Sequence, residues 1–436
     1  MPHIARLYVC IGFLVAAVGL LPGCGALSWL SSEKDPNPPS AIDKNLPQQV
    51  QLDILWKTRI GKGTDERHLR LVPAIANGRL YMADPGGKIA ALSPRDGRVL
   101  WERKTDFQFS GGPDVAGDLL VAGSTNGVLL ALSSGNGSQR WRTQLGGEIL
   151  SIPRIINDLV VVHTIDDTVY GVDLGDGSER WRFSYPAPVL TLHGSSTPVA
   201  AGEGIIVGFS GGKLVYLEPE QGAPVWEATV TPPRGRSELD RIADIDADPF
   251  VVGDIVYVAT YNGDLAAVDI TSGTILWRRE LSAHAGLTAD QNALYVTDSD
   301  DNLWSADPRD GAGRWRQEAL AHRRLTAPAL VSSVLAVGDF DGYVHLISPR
   351  DGRLLGYERI AKDRIGHRPV VANSMLYVYA NDGTLAALRV GAAARPAPGA
   401  SLSGAGAATK VSAPNTEIIP AQNSAQGPVP DAIDIR

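Results

Sequence analysis

The chain has 436 residues, of which 20% are charged, and a formal net charge of −8 at pH 7. This charge argues against a nucleic acid partner, because contacts to phosphate need clustered Lys and Arg side chains. After residue 25 the sequence contains no apolar run long enough to cross a membrane as a helix. The composition therefore favours a globular body with polar segments attached to it.

The first residues resemble a bacterial lipoprotein signal. A basic start is followed by an apolar run over residues 7–21, and the segment ends at Cys24 in the order Leu-Pro-Gly-Cys. This ending resembles the lipobox, whose cysteine becomes the lipidated first residue of the mature protein, although Pro22 replaces the usual small residue. We interpret residues 1–23 as the signal peptide and Cys24 as the lipidation site. The alternative is an ordinary signal peptide with an incidental cysteine.

Two segments lack the composition of a packed domain. Residues 24–49 carry several prolines and charges after the cysteine, which predicts a flexible, solvated tether. Residues 393–436 are rich in Ala, Pro and Gly, contain no aromatic residue, and are expected to be disordered. By resemblance to other bacterial lipoproteins, Gly25 after the cysteine implies sorting to the outer membrane.

A sequence repeat organises the region between residues 50 and 392. Its clearest copy, residues 257–277, reads as three short strands separated by turns, and the last strand ends in Trp. The inner strand of this pattern occurs eight times, and a closing Trp falls at positions 56, 101, 141, 181, 226, 277 and 315. Short strands with a glycine turn and a Trp every ~40–45 residues are typical of propeller blades. The eighth closing position is Gly356, so that copy lacks its Trp.

The two ends of the repeat region are out of phase. The region opens with a Trp strand at residues 52–56 and closes with an inner strand at residues 386–388, and each lacks what the other supplies. Joining them completes a blade and removes an open sheet edge, which would invite aggregation. We therefore predict an all-β fold, an eight-bladed β-propeller over residues 50–392. Its blades are four-stranded and antiparallel, and strands from both termini close the ring.

Function in such a protein is expected where loops depart from the repeat. The longest spacing between Trp residues contains an insertion at residues 231–248, and the spacing before it contains residues 187–198. These two inter-blade segments belong to neighbouring blades. We therefore expect them to lie side by side on one rim of the ring.

The blades and these loops together resemble one family. The blade sequence AVDITSGTILW is similar to the Trp-docking repeat of pyrroloquinoline-quinone proteins, and eight such blades behind a lipobox resemble the BamB family of outer-membrane lipoproteins. In that family, a Leu-x-Leu-Arg-Gly motif and a Glu-x-Asp-Arg-x-x-Asp-x-Asp motif contribute to the surface that binds BamA. Here the matching segments are residues 190–194, in which His193 replaces Arg, and residues 238–246.

The resemblance implies a non-enzymatic scaffold with no cofactor or metal, held by its lipid on the periplasmic side of the outer membrane. It would bind BamA and other subunits of the β-barrel assembly machinery, and unfolded outer-membrane proteins are further candidate partners. The implied partner-binding residues are Leu190, Leu192, His193, Arg241, Asp244 and Asp246. We expect the two aspartates to be exposed loop charges whose removal hardly affects stability.

Other interpretations stay open. Quinoprotein dehydrogenases share the blade sequence, but they carry a calcium site and usually a vicinal cysteine pair, whereas the mature chain would keep only Cys24. A periplasmic propeller that binds a peptide or a glycan would be favoured if the two loops lay on opposite faces. Leu190 and Leu192 are also compatible with core positions, and Arg241 with a contact inside its own loop.

Overall fold

The structure of the protein is a computed structural model that describes residues 36–64, 67–186, 188, 190–392 and 411–412. The chain divides into two compact units, Met1–Pro39 and Ser40–Arg436. Of the first unit only residues 36–39 are described, and they contain no regular secondary structure. The predicted signal peptide, the predicted lipidation site Cys24 and most of the predicted C-terminal tail lie outside the described residues.

The second unit is built from eight antiparallel sheets, each of which is one blade. Two strands come before the first complete blade: β1 (Val50–Arg59) and β2 (Arg70–Leu71). Blades 1 and 2 are β3 (Ala74–Ala76), β4 (Arg79–Ala83), β5 (Lys88–Leu92), β6 (Val99–Lys104), and β7 (Phe109–Ala116), β8 (Leu119–Ser124), β9 (Val128–Ser133), β10 (Gln139–Gln144). Blades 3 and 4 are β11 (Arg154–Ile156), β12 (Leu159–Thr164), β13 (Thr168–Asp173), β14 (Glu179–Ser184), and β15 (Val199–Ala201), β16 (Gly204–Phe209), β17 (Lys213–Leu217), β18 (Pro224–Thr229).

The remaining blades repeat this plan. Blades 5 and 6 are β19 (Phe250–Val252), β20 (Ile255–Ala259), β21 (Asp264–Asp269), β22 (Ile275–Glu280), and β23 (Gly286–Ala289), β24 (Leu294–Thr297), β25 (Leu303–Ala306), β26 (Gly313–Gln317). Blades 7 and 8 are β27 (Ala329–Val331), β28 (Val334–Gly338), β29 (Tyr343–Ile347), β30 (Leu354–Arg359), and β31 (Val370–Ala372), β32 (Met375–Tyr379), β33 (Thr384–Ala392) together with β1. A 3₁₀ turn, Ser210–Gly212, joins β16 to β17, while β2 and β34 (Val411–Ser412) add to blades 2 and 6.

The second and third strands of a blade are buried on both faces, because neighbouring blades cover them. All six residues of β12 and all six of β16 are buried, and both strands are mostly apolar. In the outer strand β10, by contrast, Trp141 is buried between exposed neighbours. The core of the propeller therefore consists of apolar layers between successive blades.

The closing Trp residues fasten each blade to the next. The indole Nε1 of each donates a hydrogen bond of 2.6–3.0 Å to a backbone carbonyl in the last turn of the following blade. A glycine with φ between 67° and 77° completes each of these turns and lies under the indole. A Cβ atom there would be only 2.3–2.7 Å from the ring, so only glycine fits. These glycines are Gly97, Gly137, Gly177, Gly222, Gly273, Gly311 and Gly352.

The ring closes as the sequence predicted. Strand β1 pairs antiparallel with β33, with Leu52 opposite Val390 and Trp56 opposite Ala387. The first strand of the propeller thus becomes the outer strand of blade 8, and Trp56 docks on blade 1 through the carbonyl of Pro94. The eight-bladed fold with strands from both termini in one blade is confirmed.

The missing eighth Trp has a structural reason. Gly356 lies in β30, the outer strand of blade 7, and would dock on the last turn of blade 8. That turn does not exist, because β33 and β1 come from opposite ends of the domain. Residues 48–50 lie there instead: the backbone N–H of Tyr357 donates to Gln48 Oε1 at 3.0 Å, and a Cβ on Gly356 would be 2.2 Å from the Val50 carbonyl oxygen.

Part of the predicted tether packs on the propeller. The backbone N–H of Ser40 donates to the carbonyl of Ala321 at 3.0 Å, and Gln49 donates to Leu355 at 2.8 Å. The guanidinium of the buried Arg323 donates to the Ser40 carbonyl at 2.8 Å. Residues 40–49 therefore follow blade 7 before they enter β1.

We expect Gly356→Ala to destabilise the propeller, although the repeat carries a larger residue at the matching positions. The added methyl group would collide with the Val50 carbonyl, and overpacking of this kind typically costs about 1–3 kcal/mol. Gly135→Ala is the matched control, because the nearest atom to its added methyl would be 3.5 Å away. Urea unfolding of both variants measures the difference. Equal unfolding midpoints would contradict a tight fit of residues 48–50 on Gly356.

Candidate functional site

Two inter-blade loops form a continuous surface on one face of the ring. The first, residues 185–198, joins blades 3 and 4, and the second, residues 230–249, joins blades 4 and 5. The backbone N–H of Leu192 donates to Asp244 Oδ2 at 2.7 Å. A Cβ on Gly194 would be 2.4 Å from the Asp246 carboxylate, so the loops touch directly at this point. We call these two segments together the loop surface.

The apolar part of the loop surface is exposed at two leucines. Leu190 is 43% exposed, and Leu239, on the second loop, is 67% exposed. Leu192 is half-buried and turns towards the centre of the ring, where it lines a cavity. Sequence reasoning missed Leu239, although its position between charged residues of an insertion is a signal that exposure of an apolar side chain serves binding.

Asp244 does not behave as an exposed loop charge. Only 2% of it is exposed, and its two carboxylate oxygens accept the backbone N–H groups of Gly211 at 2.9 Å and Leu192 at 2.7 Å. Its own carbonyl accepts the N–H of Tyr261 at 3.0 Å. Asp244 thus ties the first loop, the second loop and the hairpin of blade 4 together. Burial raises the pKa of this carboxyl group, and the two N–H donors oppose that rise.

The expectation that removal of Asp244 hardly affects stability is therefore wrong. The physical reason is that long loops carry backbone N–H groups that need acceptors once they are buried. A carboxylate in a loop is a strong acceptor, but its spacing in the sequence does not show which N–H groups it will meet.

Asp246 lies at the rim of the cavity and is half-buried. Burial and the neighbouring Asp244 raise the pKa of Asp246 to about 6. Its backbone carbonyl accepts a hydrogen bond from Arg70 Nη2 at 3.2 Å. Arg70 also donates to Asp248 Oδ1 at 2.7 Å and to the Ser195 carbonyl at 2.8 Å. This arginine therefore holds both loops from below, and sequence reasoning missed it because it is 178 residues away from Asp248.

The two remaining predicted residues are exposed. His193 Nε2 lies 3.5 Å from Glu148 Oε2, which comes from the loop between blades 2 and 3. Arg241 lies 3.5 Å from Glu238 and donates to the carbonyl of Gly235, so its contacts stay within its own loop. Exposed ion pairs of this kind contribute about 0–1 kcal/mol, which leaves both side chains available to a partner.

The fold and the site together define a class of protein: an eight-bladed β-propeller of Trp-docking repeats whose longest inter-blade loops meet on one face. Residues 51–110 and 86–317 match the family described as outer membrane protein assembly factor BamB. BamB of Pseudomonas aeruginosa is 44% identical over 377 residues, which cover 86% of this chain and 98% of that protein. The crystal structure of BamB from Moraxella catarrhalis has a TM-score of 0.72 at 27% identity and covers 78% of this chain and 100% of that one. The chain belongs to the BamB family.

Membership of this family associates the chain with the outer membrane and with the assembly of its proteins. A quinohemoprotein alcohol dehydrogenase from Comamonas testosteroni has a TM-score of 0.62 at 14% identity, covering 81% of this chain and 78% of that one. At that identity the likeness shows the fold alone. Within the described part of the chain, no three His, Cys, Asp or Glu residues are grouped so that they could hold a metal ion. No helix in that part is long and apolar enough to cross a membrane.

We expect Asp244→Ala to lower the free energy of unfolding by roughly 1–3 kcal/mol for each backbone N–H that loses its acceptor. Glu238→Ala, in the same loop, is the control and should change stability by less than about 1 kcal/mol, because its pair with Arg241 is exposed. Chemical denaturation of the purified propeller compares the two. A parent-like stability of the Asp244 variant would show that these hydrogen bonds are dispensable.

Proposed function

We propose that this protein is a non-enzymatic scaffold lipoprotein of the outer-membrane β-barrel assembly machinery, and that its loop surface binds the periplasmic domain of a BamA-like subunit. The observation that carries the proposal is the junction of the two loops, in which Leu192 and Asp244 are joined by a 2.7 Å hydrogen bond. The loops that resemble the two BamA-binding motifs thus form one surface. The alternative of a general peptide- or glycan-binding propeller was tied to loops on opposite faces, which this junction argues against.

The residues of the loop surface divide into two roles. Leu190 and Leu239 offer exposed apolar area at its outer part, and His193 and Arg241 supply polar groups beside them. A small apolar anchor with a polar rim is the usual energetic plan of a protein interface. Asp244 is a positioning residue, because its buried carboxylate fixes the backbone of the first loop. A loop that is ordered before binding loses less conformational entropy when the partner docks.

The lipid anchor and the periplasmic orientation are also part of the proposal. They rest on the lipobox-like sequence that ends at Cys24 and on Gly25 after it. Among the described residues, those from Ser40 onward already follow blade 7. A lipid at Cys24 would then hold the propeller near the membrane through the short segment before residue 40.

We expect Leu190→Ala to weaken binding of the partner's periplasmic domain about tenfold or more, because truncation of an interface anchor typically costs above 1 kcal/mol. Leu100→Ala is the matched control: Leu100 is 39% exposed, close to the 43% of Leu190, but it lies on the outer strand of blade 1. The measurement is a calorimetric titration of the unlipidated propeller with the BamA periplasmic domain of the same organism. Equal affinities of the parent and the Leu190 variant, both folded, would remove the loop surface as the binding site.

For the lipid anchor, we expect Cys24→Ser to move the protein from the membrane fraction to the soluble fraction. Cys10→Ser is the control, since Cys10 lies inside the predicted signal peptide and the variant should stay anchored. Fractionation with a high-salt wash, in cells that lack the BamA-like partner's binding domain, separates anchoring from protein contacts. A Cys24 variant that stays with the membrane under these conditions would refute the anchor.

A further inference from the structure

A cavity of about 500 Å³ opens at the centre of the ring, on the face that carries the loop surface. Residues from the loops between all neighbouring blades except blades 1 and 2 line it, so it is the mouth of the central channel. Leu192, His193 and Asp246 stand at its rim. The cavity lies beside the proposed interface and extends inward from it.

The charges that line the cavity are predominantly positive. Four arginines take part, Arg67, Arg70, Arg364 and Arg368, against two aspartates, Asp246 and Asp248. Arg70 is committed, since it forms an ion pair with Asp248 at 2.7 Å. Among the described residues, the other three arginines have no carboxylate oxygen within 4.0 Å.

The arginine at position 364 has the strongest need for an anion. It is half-buried, and its Nε atom is buried without any hydrogen-bond partner among the described residues. Burial and the nearby Arg324 lower the pKa of Arg364, which shows that its positive charge is poorly compensated. Arg67 and Arg368 make only long contacts to carbonyl oxygens, 3.3 Å to Thr64 and 3.4 Å to Leu287. The guanidinium groups thus retain donors that no described carboxylate satisfies.

The histidines around the cavity report the same positive potential. Burial, together with Arg70 and Arg364, lowers the pKa of His367 to about 4. Burial and Arg364 also lower the pKa of His68. Both imidazoles are therefore neutral at physiological pH, and the arginines supply the positive charge.

The rest of the lining is apolar, which narrows the class of ligand. Apolar side chains from six different segments face the cavity: Leu69, Leu150, Leu192, Leu287, Leu325 and Val370. Pockets of roughly 300–1,000 Å³ with apolar walls and a few polar groups bind organic ligands and not bare ions. Arginine in such a setting favours planar carboxylates, which it can bind with two parallel hydrogen bonds. Asp246, in the same lining, would repel a multiply charged inorganic anion.

We propose that the mouth of the central channel binds a short peptide segment that alternates acidic and apolar side chains, with its carboxylates on Arg364 and Arg67 and its apolar side chains against the leucines. The position of the cavity next to the loop surface makes it accessible to a polypeptide that approaches the same face. This binding site does not depend on the proposed BamA contact, because the arginines lie outside the two loops that form the loop surface.

The test uses the purified propeller and the capped tripeptide Asp-Leu-Asp, with the capped tripeptide Asn-Leu-Asn as its neutral isostere, in a calorimetric titration at low salt. We expect saturable binding of Asp-Leu-Asp and at least tenfold weaker binding of Asn-Leu-Asn. Arg364→Gln should weaken binding of Asp-Leu-Asp about tenfold. Arg142→Gln, an exposed arginine on the outer strand β10, should leave it unchanged.

Further arms keep the outcome unambiguous. Arg67→Gln changes an exposed side chain and should also weaken binding, so the proposal does not depend on how well the Arg364 variant folds. Leu190→Ala should leave tripeptide binding intact, which separates this site from the BamA contact. Absence of Asp-Leu-Asp binding, equal binding of the two tripeptides, or equal affinity for inorganic phosphate would each overturn the assignment of a peptide site.

Discussion

The docking of each closing Trp on the following blade is the interaction on which the rest of this structure depends. Each indole buries a large apolar surface and also donates a hydrogen bond to a carbonyl, and a Tyr of the same blade packs beside several of them, as Tyr216 does on Trp226. Because the ring lies on a glycine turn, neither the Trp strand nor the turn tolerates much change. The angle between neighbouring blades is thereby fixed around the ring, and only the junction at Gly356 uses another solution.

This fixed frame leaves the inter-blade loops free to vary, and the loops between blades 3 and 5 use that freedom. Their backbone is nevertheless ordered by buried charge: Asp244 accepts N–H groups from two segments, and Arg70 joins Asp248 to the Ser195 carbonyl. The loop surface thus combines exposed leucines with a rigid base. Such an arrangement suits a scaffold, since recognition groups are held in place before a partner arrives.

The same face carries opposite demands at its rim and at its centre. At the rim, burial makes ionisation of Asp244 and Asp246 less favourable, and hydrogen bonds or Arg70 compensate. At the centre, Arg364 is buried with incomplete compensation. Buried charge without a partner is costly, so its retention in an open cavity indicates a site that a ligand completes.

The sequence by itself determined the propeller, the number of its blades and the closure by both termini, because the period, the Trp positions and the glycine turns are local signals that repeat. It also located the two loops, through their departure from the period, and the resemblance to the BamB family. It did not determine that Asp244 is buried, that Leu239 is exposed, or that Arg70 and Arg364 face the channel. Those properties depend on which distant segments ring closure brings into contact, and the tertiary structure decided them because burial and hydrogen-bond partners arise between segments up to 178 residues apart.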